Sequence, residues 1–453
     1  HLIINIINDK IYFLSSTKKN DMKFIRIIFF TVLLQIISID VIAQSDTIRL
    51  SMQQFFDIAD TKSHSIMESE YLIENALHEL EYTKMQFSPD INITVTAGYQ
   101  GNATIMNRNF ANSESVVLPH FSNNLSLQIN QPILDMALNK EKELRKSTNK
   151  VLDVQLQLKK QDIRFMLADW LLQYIKYMNM NDILEKDRAR IHKLLQETSY
   201  RYEQGTALRS DVTYYKLELQ KRELAIIKNN NLLKILNFQF TRILDLPENT
   251  VVIPHEKIPS PQKLREINSQ PAYSLSYIES INQYNESLAN EAFVKSVKWP
   301  QLSGWFENNL TGPLSSSTPP LDKNINNWGV GIRLSYNIGN LYKYKSKIKS
   351  AKSLSKSMAE HSELVYIKNE TELFTVKTKL KELLEEFDIR TEQIRLAEDL
   401  YNLTYERYSG GTAILTEMLD ARNNLLQANI EYLDIQIEAY YQYCIIKKIM
   451  GEL

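Results

Sequence analysis

The sequence predicts an α+β membrane protein in which long antiparallel helical hairpins and short β-hairpins form an internal twofold repeat. The first observation is a repeated segment, because Arg201–Ala207 (RYEQGTA) returns as Arg407–Ala413 (RYSGGTA). The second is the absence of Gly and Pro from Ile133–Gln204 and Asn340–Ser409, each long enough for a helix of roughly 100 Å. The third is an alternation of apolar and polar residues ahead of each long segment, which indicates strands.

Each copy of the repeated segment is predicted to be the turn of a helical hairpin. A second segment without Gly or Pro follows each copy, from Thr206 to Leu246 and from Thr412 to Met450. The residue that leaves a helix often needs a positive φ, which glycine adopts without a Cβ penalty. We therefore expect hairpin tips near residues 205 and 411.

The doubled plan divides the chain into four parts. A shorter helix is expected to open each repeat, within Ser45–Ser88 and within Ala272–Trp299, since neither segment contains Gly or Pro. The prolines between the repeats predict a linker. We expect this linker to lie as an equatorial band against the outside of the helices. The predicted parts are residues 1–43 (upstream residues and signal), 44–246 (first repeat), 247–265 (linker) and 266–453 (second repeat).

The N-terminal part has the pattern of a secretory signal. Met22 and the basic residues after it precede the apolar run Ile27–Ile39, and small residues lead up to Ala43. This order predicts a true start at Met22 and cleavage after Ala43. An uncleaved anchor is the alternative.

Four strands are predicted, two in each repeat. Apolar residues occupy every second position, and each segment has about the ten residues that a tilted membrane strand needs. Aromatic residues lie near the strand ends, as they do at membrane interfaces. Soluble hairpins are the alternative. The strands are Asp90–Gln100 and Phe121–Gln131 in the hairpin 89–132, with a polar loop between them, and Gln301–Leu310 and Trp328–Ile338 in the hairpin 299–338.

Four strands cannot close on themselves. Open sheet edges in lipid leave backbone groups without partners, so the chain is expected to assemble with copies of itself. Three copies would supply twelve strands, enough for a water-filled interior. The strands alone do not choose three copies over two or four.

Composition excludes several classes of function. The formal net charge of −1 gives no reason to expect nucleic acid, and a single cysteine, Cys444, provides neither a disulfide nor a thiolate cluster. The histidines lack the spacing of metal ligands on a helix, and no phosphate loop, dinucleotide fingerprint or nucleophile elbow occurs. We therefore expect no enzyme, no cofactor and no metal site.

The order of these elements resembles the TolC-like outer membrane efflux family over residues 44–453. The resemblance implies a homotrimer in outer-membrane lipid, whose twelve-stranded barrel continues into a helical barrel across the periplasm. It also implies a periplasmic adaptor and an inner-membrane transporter as partners, for which the trimer is a passive exit duct. The residues that carry it are Tyr202-x-x-Gly205-Thr206, Tyr408-Ser409-Gly410-Gly411-Thr412, Gln131-Pro132-Ile133-Leu134, Ser335-Tyr336-Asn337-Ile338 and Met450-Gly451-Glu452-Leu453.

Two other functions remain open at this point. A duct for type I protein secretion has the same architecture. A secreted coiled-coil scaffold or adhesin belongs to a different class, and the strand alternation argues against it.

Two acids just after the second tip are candidate gate residues. Glu417 and Asp420 are three residues apart, so they project from a similar face of one helix. The resemblance implies that acids at these places point into the lumen and form the narrow periplasmic entrance. Six carboxylates in one ring would favour cations.

The resemblance also implies a cross-link at the tips and a docking surface. Tyr408 is expected to hydrogen-bond Asp211 on the neighbouring hairpin and to help close the entrance. Some relatives have a basic residue where this chain has Ala413, and the second cross-link that it makes is absent here. The exposed tip residues are expected to meet the adaptor; they are Gly205, Thr206, Ala207, Gly411, Thr412 and Ala413.

The last helix has an apolar heptad pattern that predicts a packed seam. Spacings of four and three alternate without interruption, as in a coiled coil. Small residues within the pattern favour close approach of another helix. The seam consists of Ile414, Met418, Ala421, Leu425, Ala428, Tyr432, Ile435 and Ala439.

Overall fold

The computed structural model describes residues 47–255, 261, 264, 274–314 and 321–453. The predicted signal over 1–43 lies outside these residues, as do parts of the linker 247–265 and the start of the second repeat. The described helices are α1 (Met52–Lys62), α2 (His64–Met85), α3 (Met136–Glu203), α4 (Arg209–Ile243), α5 (Leu275–Ser296), α6 (Gly339–Ser409) and α7 (Leu415–Ile449). The described strands are β1 (Thr47–Leu50), β2 (Asp90–Tyr99), β3 (Ala103–Met106), β4 (Ser113–Val116), β5 (Phe121–Leu134), β6 (Val251–Pro254), β7 (Gln301–Gly312) and β8 (Ile325–Ser335).

The two long helical hairpins are confirmed. Asp135 starts α3, where its side chain accepts a hydrogen bond from Leu138 N at 3.0 Å and satisfies one donor of the first turn. Both long helices end in a Schellman motif, in which the glycine has φ of 75° at Gly205 and 74° at Gly411. The residue after each glycine donates its N–H to the carbonyl five residues earlier, at 2.8 Å in both tips.

The helix expected within 45–88 is divided into two helices, and a strand precedes them. Residues Thr47–Leu50 form β1, which pairs in parallel with β6, and Ser63 separates α1 from α2. The partner strand β6 lies in the predicted linker, more than two hundred residues along the chain, and Val252 of β6 is buried in the same cluster as Phe55 and Phe240. Local sequence gives no sign of such a distant pairing.

The four predicted strands form one antiparallel sheet in the order β2-β5-β7-β8. Strand β5 extends three residues beyond its predicted end, and β8 begins before Trp328 and ends before Tyr336. The predicted loop between β2 and β5 contains a further small hairpin, β3–β4. The alternation therefore located the strands, and the pairing partners set their ends.

The register gives the sheet one apolar face and one polar face. Ile91, Ile129, Phe306 and Val330 lie side by side in one row across the four strands. Most side chains of the opposite face are polar, and the corresponding row there is Asn92, Gln128, Glu307 and Gly329. Trp305 also lies on this face, where its ring packs over Gly329 and Gly331. The apolar side chains of both edge strands are exposed. Among the described strands, β2 and β8 each have a partner on one side only.

The helices form a layer with two open flanks. Helix α3 contacts α2, α4, α5 and α7, whereas α6 contacts α5 and α7. The flank formed by α2 and α4 and the flank formed by α6 expose apolar residues, and no described helix covers either. They include Leu217, Leu224, Ile227, Ile235 and Phe238 on α4, and Leu364, Ile367, Phe374, Ile389, Leu396, Leu400 and Leu403 on α6.

The heptad seam of α7 is confirmed from Met418 onward. Met418 and Ala439 are fully buried, and the positions between them are buried or half-buried. The prediction is wrong for Ile414, which is the N-cap residue of α7 and is exposed. Its spacing fits the heptad, but the helix that would give it a packed face starts one residue later.

Candidate gate and docking site at the hairpin tips

The tip residues of the two hairpins have matching geometry. Thr206 Oγ1 donates to the carbonyl of Arg201 at 3.1 Å, and Thr412 Oγ1 donates to that of Arg407 at 3.0 Å. A Cβ added at either tip glycine would meet no atom within 4 Å, so the positive φ, rather than lack of space, calls for glycine. The glycines and threonines are exposed, and Ala207 and Ala413 are half-buried.

Each tip also presents one large apolar side chain. Leu208 is 69% exposed and Ile414 is 64% exposed, and both stand three residues after the tip glycine. Sequence reasoning missed both as tip residues and assigned Ile414 to the seam. Their equal distance from the two glycines is the signal that would have found them.

Glu417 and Asp420 lie on the exposed side of α7. Met418 and Leu419, which stand between them, are buried. Nη2 of Arg407 lies 3.2 Å from Oε2 of Glu417, so this acid is paired within its own hairpin. A lumen position for both acids stays a prediction.

Within the chain, Tyr408 and Asp211 make no hydrogen bond to each other. Tyr408 Oη lies 3.3 Å from Thr198 Oγ1. Asp211 faces its own helix start, where it accepts hydrogen bonds from Leu208 N at 3.4 Å and Ser210 Oγ at 3.1 Å. The reason is local, because an acid in the first turn of a helix is drawn to the free backbone N–H groups. A bond between two copies stays a prediction.

Arg201 connects the two tips and was missed from the sequence. Its guanidinium donates to the carbonyl of Tyr408 at 3.0 Å and to that of Ser409, which are the last carbonyls of α6. The same guanidinium lies over the Tyr408 ring, with its carbon 5.3 Å from the ring centroid. A cation is favoured at the C-terminal end of a helix. An arginine at the same place in both tip motifs was the available signal.

Further polar and aromatic contacts join α3 and α6 away from the tip. Tyr405 Oη donates to Glu197 at 2.5 Å, and Lys193 lies over the Tyr405 ring at 4.6 Å. Arg190 lies over the Tyr401 ring at 5.4 Å. Side chains of α3 therefore reach α6 over several helical turns.

A buried cluster of charges joins α3, α4 and α7 close to the candidate gate residues Glu417 and Asp420. Arg422 is fully buried and donates to Glu218 at 2.7 Å. Its Nε lies 4.0 Å from Asp187 Oδ1, and Arg222 Nε lies 2.9 Å from Asp187 Oδ2. Sequence reasoning did not single out these residues, because each alone is an ordinary charge on a helix.

In this cluster the pKa values of Asp187 and Glu218 are shifted in opposite directions. Burial raises the pKa of Asp187, although the nearby arginines oppose this. Burial also acts to raise the pKa of Glu218, but hydrogen bonds from Lys221 and Arg422 outweigh it and the pKa is lowered. The arginines therefore stabilise charge that the buried site disfavours.

The described residues contain neither a cluster that would hold a metal ion nor a helix long and apolar enough to cross a membrane. Comparison with known proteins finds no matching family model and no matching curated protein. Solved structures do match, although their sequences have diverged far from that of this chain.

The outer membrane protein VceC from Vibrio cholerae is 12% identical, with a TM-score of 0.75 over 88% of this chain and 96% of that chain. The Campylobacter jejuni outer membrane channel CmeC is 13% identical, with a TM-score of 0.71 over 89% and 86%. The Neisseria gonorrhoeae MtrE outer membrane channel, in its open state, is 12% identical, with a TM-score of 0.69 over 88% and 88%. The chain has the fold of these outer-membrane channels, and the predicted TolC-like architecture of the single chain is confirmed.

Proposed function

We propose that this protein is a passive exit duct in the outer membrane, formed by three copies of the chain and extending into the periplasm. A periplasmic adaptor would join it to an inner-membrane transporter, which supplies the energy. The fold shared with outer-membrane channels supports this proposal. No catalytic step is part of it.

The observation that carries the proposal is the pair of open sheet edges. Strands β2, β5, β7 and β8 alternate in direction, so β2 of a second copy would continue antiparallel to β8 of the first. Each unpaired backbone group in hydrocarbon costs several kcal/mol, which strongly favours pairing of the edges between copies. The apolar face of the sheet suits contact with lipid, and the polar face suits a wet interior.

The open helical flanks lie on the same sides as the open strand edges. Helix α2 leads into β2, and α6 follows β8. One docking of two copies would therefore pair the strands and also bury the exposed apolar residues of α4 and α6 against each other. Burial of apolar area at about 25 cal/mol per Å² adds to the pairing of the strands.

The tips fit the role of entrance and docking surface. Leu208 and Ile414 would extend the adaptor surface around the tip glycines with apolar area, since exposed apolar patches often mark contact sites. Three copies would bring six such side chains into one ring. Glu417 and Asp420 would supply the charge of the entrance.

The test combines oligomer mass with pore activity. The protein extracted in mild detergent should have the mass of three chains, and it should give ion conductance in planar bilayers. Monodisperse single chains without conductance would refute the proposal. Release from membranes by carbonate, without detergent, would instead favour a secreted scaffold.

A matched pair of variants tests the orientation of the sheet. Ile332→Lys places a charge on the apolar face of β8 and should reduce assembly, because lysine on the lipid face of a membrane strand is destabilising, by about 2–4 kcal/mol at the midplane and less toward the interfaces. Asn327→Lys places the same charge on the polar face of the same strand and should assemble normally. Equal behaviour of the two variants would contradict a membrane sheet.

A further inference from the structure

The two hairpin tips have the same arginine in different surroundings. Arg201 and Arg407 each stand four residues before the tip glycine. Arg201 leaves its own hairpin and donates to the carbonyls of Tyr408 and Ser409 at the end of α6. Arg407 remains on its own hairpin, 3.2 Å from Glu417.

The two arginines make different contacts because only one of them has an adjacent hairpin within the chain. Arg201 faces the second hairpin, which is part of the same chain. On the open flank of α6, no described helix offers Arg407 the corresponding contact. Exposure of the matching tyrosines agrees with this, since Tyr408 beside Arg201 is 8% exposed and Tyr202 is 46% exposed.

The internal repeat predicts what belongs on the open flank. In sequence and hairpin geometry, α6 corresponds to α3 and α4 corresponds to α7. The contact of α3 with α7 inside one chain therefore corresponds to a contact of α6 with α4 of the next copy. We propose that Arg407 of one copy donates to the carbonyls of Tyr202 and Glu203 of the next copy, an inference that rests on the ring of copies proposed above.

The chemistry of the receiving end matches that of the observed contact. Helix α3 ends in the same Schellman motif as α6, with Gly205 N donating to Tyr202 O at 3.0 Å where Gly411 N donates to Tyr408 O at 3.1 Å. Each carbonyl oxygen has a second lone pair, and the last carbonyls of a helix carry its negative end. The planar guanidinium fork reaches two carbonyls at once and stays charged at any physiological pH.

Glu203 adds a feature that the observed contact lacks. It occupies the position of Ser409, so a carboxylate stands beside the carbonyls that would receive Arg407. This charge favours the approach of the arginine, most strongly at low salt.

The proposed contact competes with the pair that Arg407 makes now. Both Arg407 and Glu417 are largely exposed, and exposed ion pairs of this kind are weak. Assembly of the tips would therefore move Arg407 from Glu417 to the neighbouring copy. Glu417 would then be left unpaired beside Asp420, and the negative charge of the entrance would rise as the copies come together.

Cysteine cross-linking of the full-length protein tests the contact. In a Cys444→Ala background, which removes the single native thiol, Arg407→Cys is combined with Glu203→Cys and treated with a short bis-maleimide. The matched control combines Arg201→Cys with Ser409→Cys, whose parent residues are in contact within the chain. We expect the first pair to give covalently linked oligomers on denaturing gels. The second pair should stay monomeric, and its mass should be that of one chain plus one bound cross-linker.

The outcomes separate this inference from the duct itself. If native mass shows oligomers and the control pair is bridged, but the Arg407→Cys and Glu203→Cys pair stays unlinked, the contact is refuted and the duct stands. If native mass shows single chains, both are refuted. Each single-cysteine variant should stay unlinked, and ladders from either of them would also overturn the specific pairing.

Discussion

The junction between the two hairpins of one chain differs in charge from the junction proposed between copies. The first contains the buried cluster of Arg422, Asp187 and Glu218. Corresponding residues are found by counting the same number of positions from the other tip glycine. At these positions the second junction would have Lys216, Gln393 and Asn424, all exposed in the single chain. The repeat thus preserves helix geometry while its buried charges occur only once.

This difference in buried charge indicates which junction can move. Separating the hairpins of one chain would uncover or unpair buried charges, which is costly. Separating copies would break apolar contacts and exposed polar contacts only. We therefore expect opening of the proposed periplasmic entrance to involve sliding between copies, with each chain moving as one unit.

The largest expected effect comes from removing the central charge of the fixed junction. Arg422→Ala leaves Asp187 and Glu218 buried without their shared partner, and should lower the free energy of unfolding by about 3–5 kcal/mol. Urea unfolding of the detergent-extracted protein, followed by circular dichroism, measures this.

Lys216→Ala at the corresponding place is the control. It should change the free energy of unfolding by less than about 0.5 kcal/mol, since the residue is exposed. Similar losses for the two variants would erase the distinction between the junctions.

Sequence reasoning found the features with local signals and missed those made by distant partners. The long helices, the strands and the tip glycines each follow from a pattern within a few dozen residues. The pairing of β1 with β6 and the meeting of Arg422 with Asp187 depend on segments far apart in the chain. A heptad pattern also says nothing about where its helix starts, which is why Ile414 was assigned wrongly.

A smaller effect is expected at the tips, which belong to both junctions. Gly205→Ala and Gly411→Ala force a side chain into positive φ, and each should destabilise its hairpin by about 1–2 kcal/mol. Gly410→Ala is the matched control, because Gly410 has φ of −77° and tolerates a Cβ. Thermal unfolding distinguishes them. A loss for Gly410→Ala as large as that for Gly411→Ala would argue against the role of positive φ.

Ion selectivity tests whether the gate acids face the entrance. Glu417→Gln with Asp420→Asn keeps side-chain shape and removes the charge that would attract cations, so cation preference in planar bilayers should fall. Stability should change little, since both side chains are exposed. Unchanged selectivity would remove these acids from the gate.

The smallest effect, and the finest test of the two junctions, concerns the hydroxyl of Tyr408. Tyr408→Phe removes its contact with Thr198, and should lower the free energy of unfolding by about 0.5–1.5 kcal/mol. Thr198→Val removes the other partner, and the double variant should lose little more than either single one, because both changes break one bond.

The same cycle with Asp211→Asn examines the bond expected between neighbouring hairpins. One outcome is that the effects of the two variants on the open probability of the assembled pore depend on each other while their effects on monomer stability simply add. That result would assign the bond to the junction between copies. Coupling to Thr198 alone would confine Tyr408 to the fixed junction. In that case the hydroxyl stabilises the chain as a unit, and gating depends on the exchangeable contacts of Arg407 and Glu417.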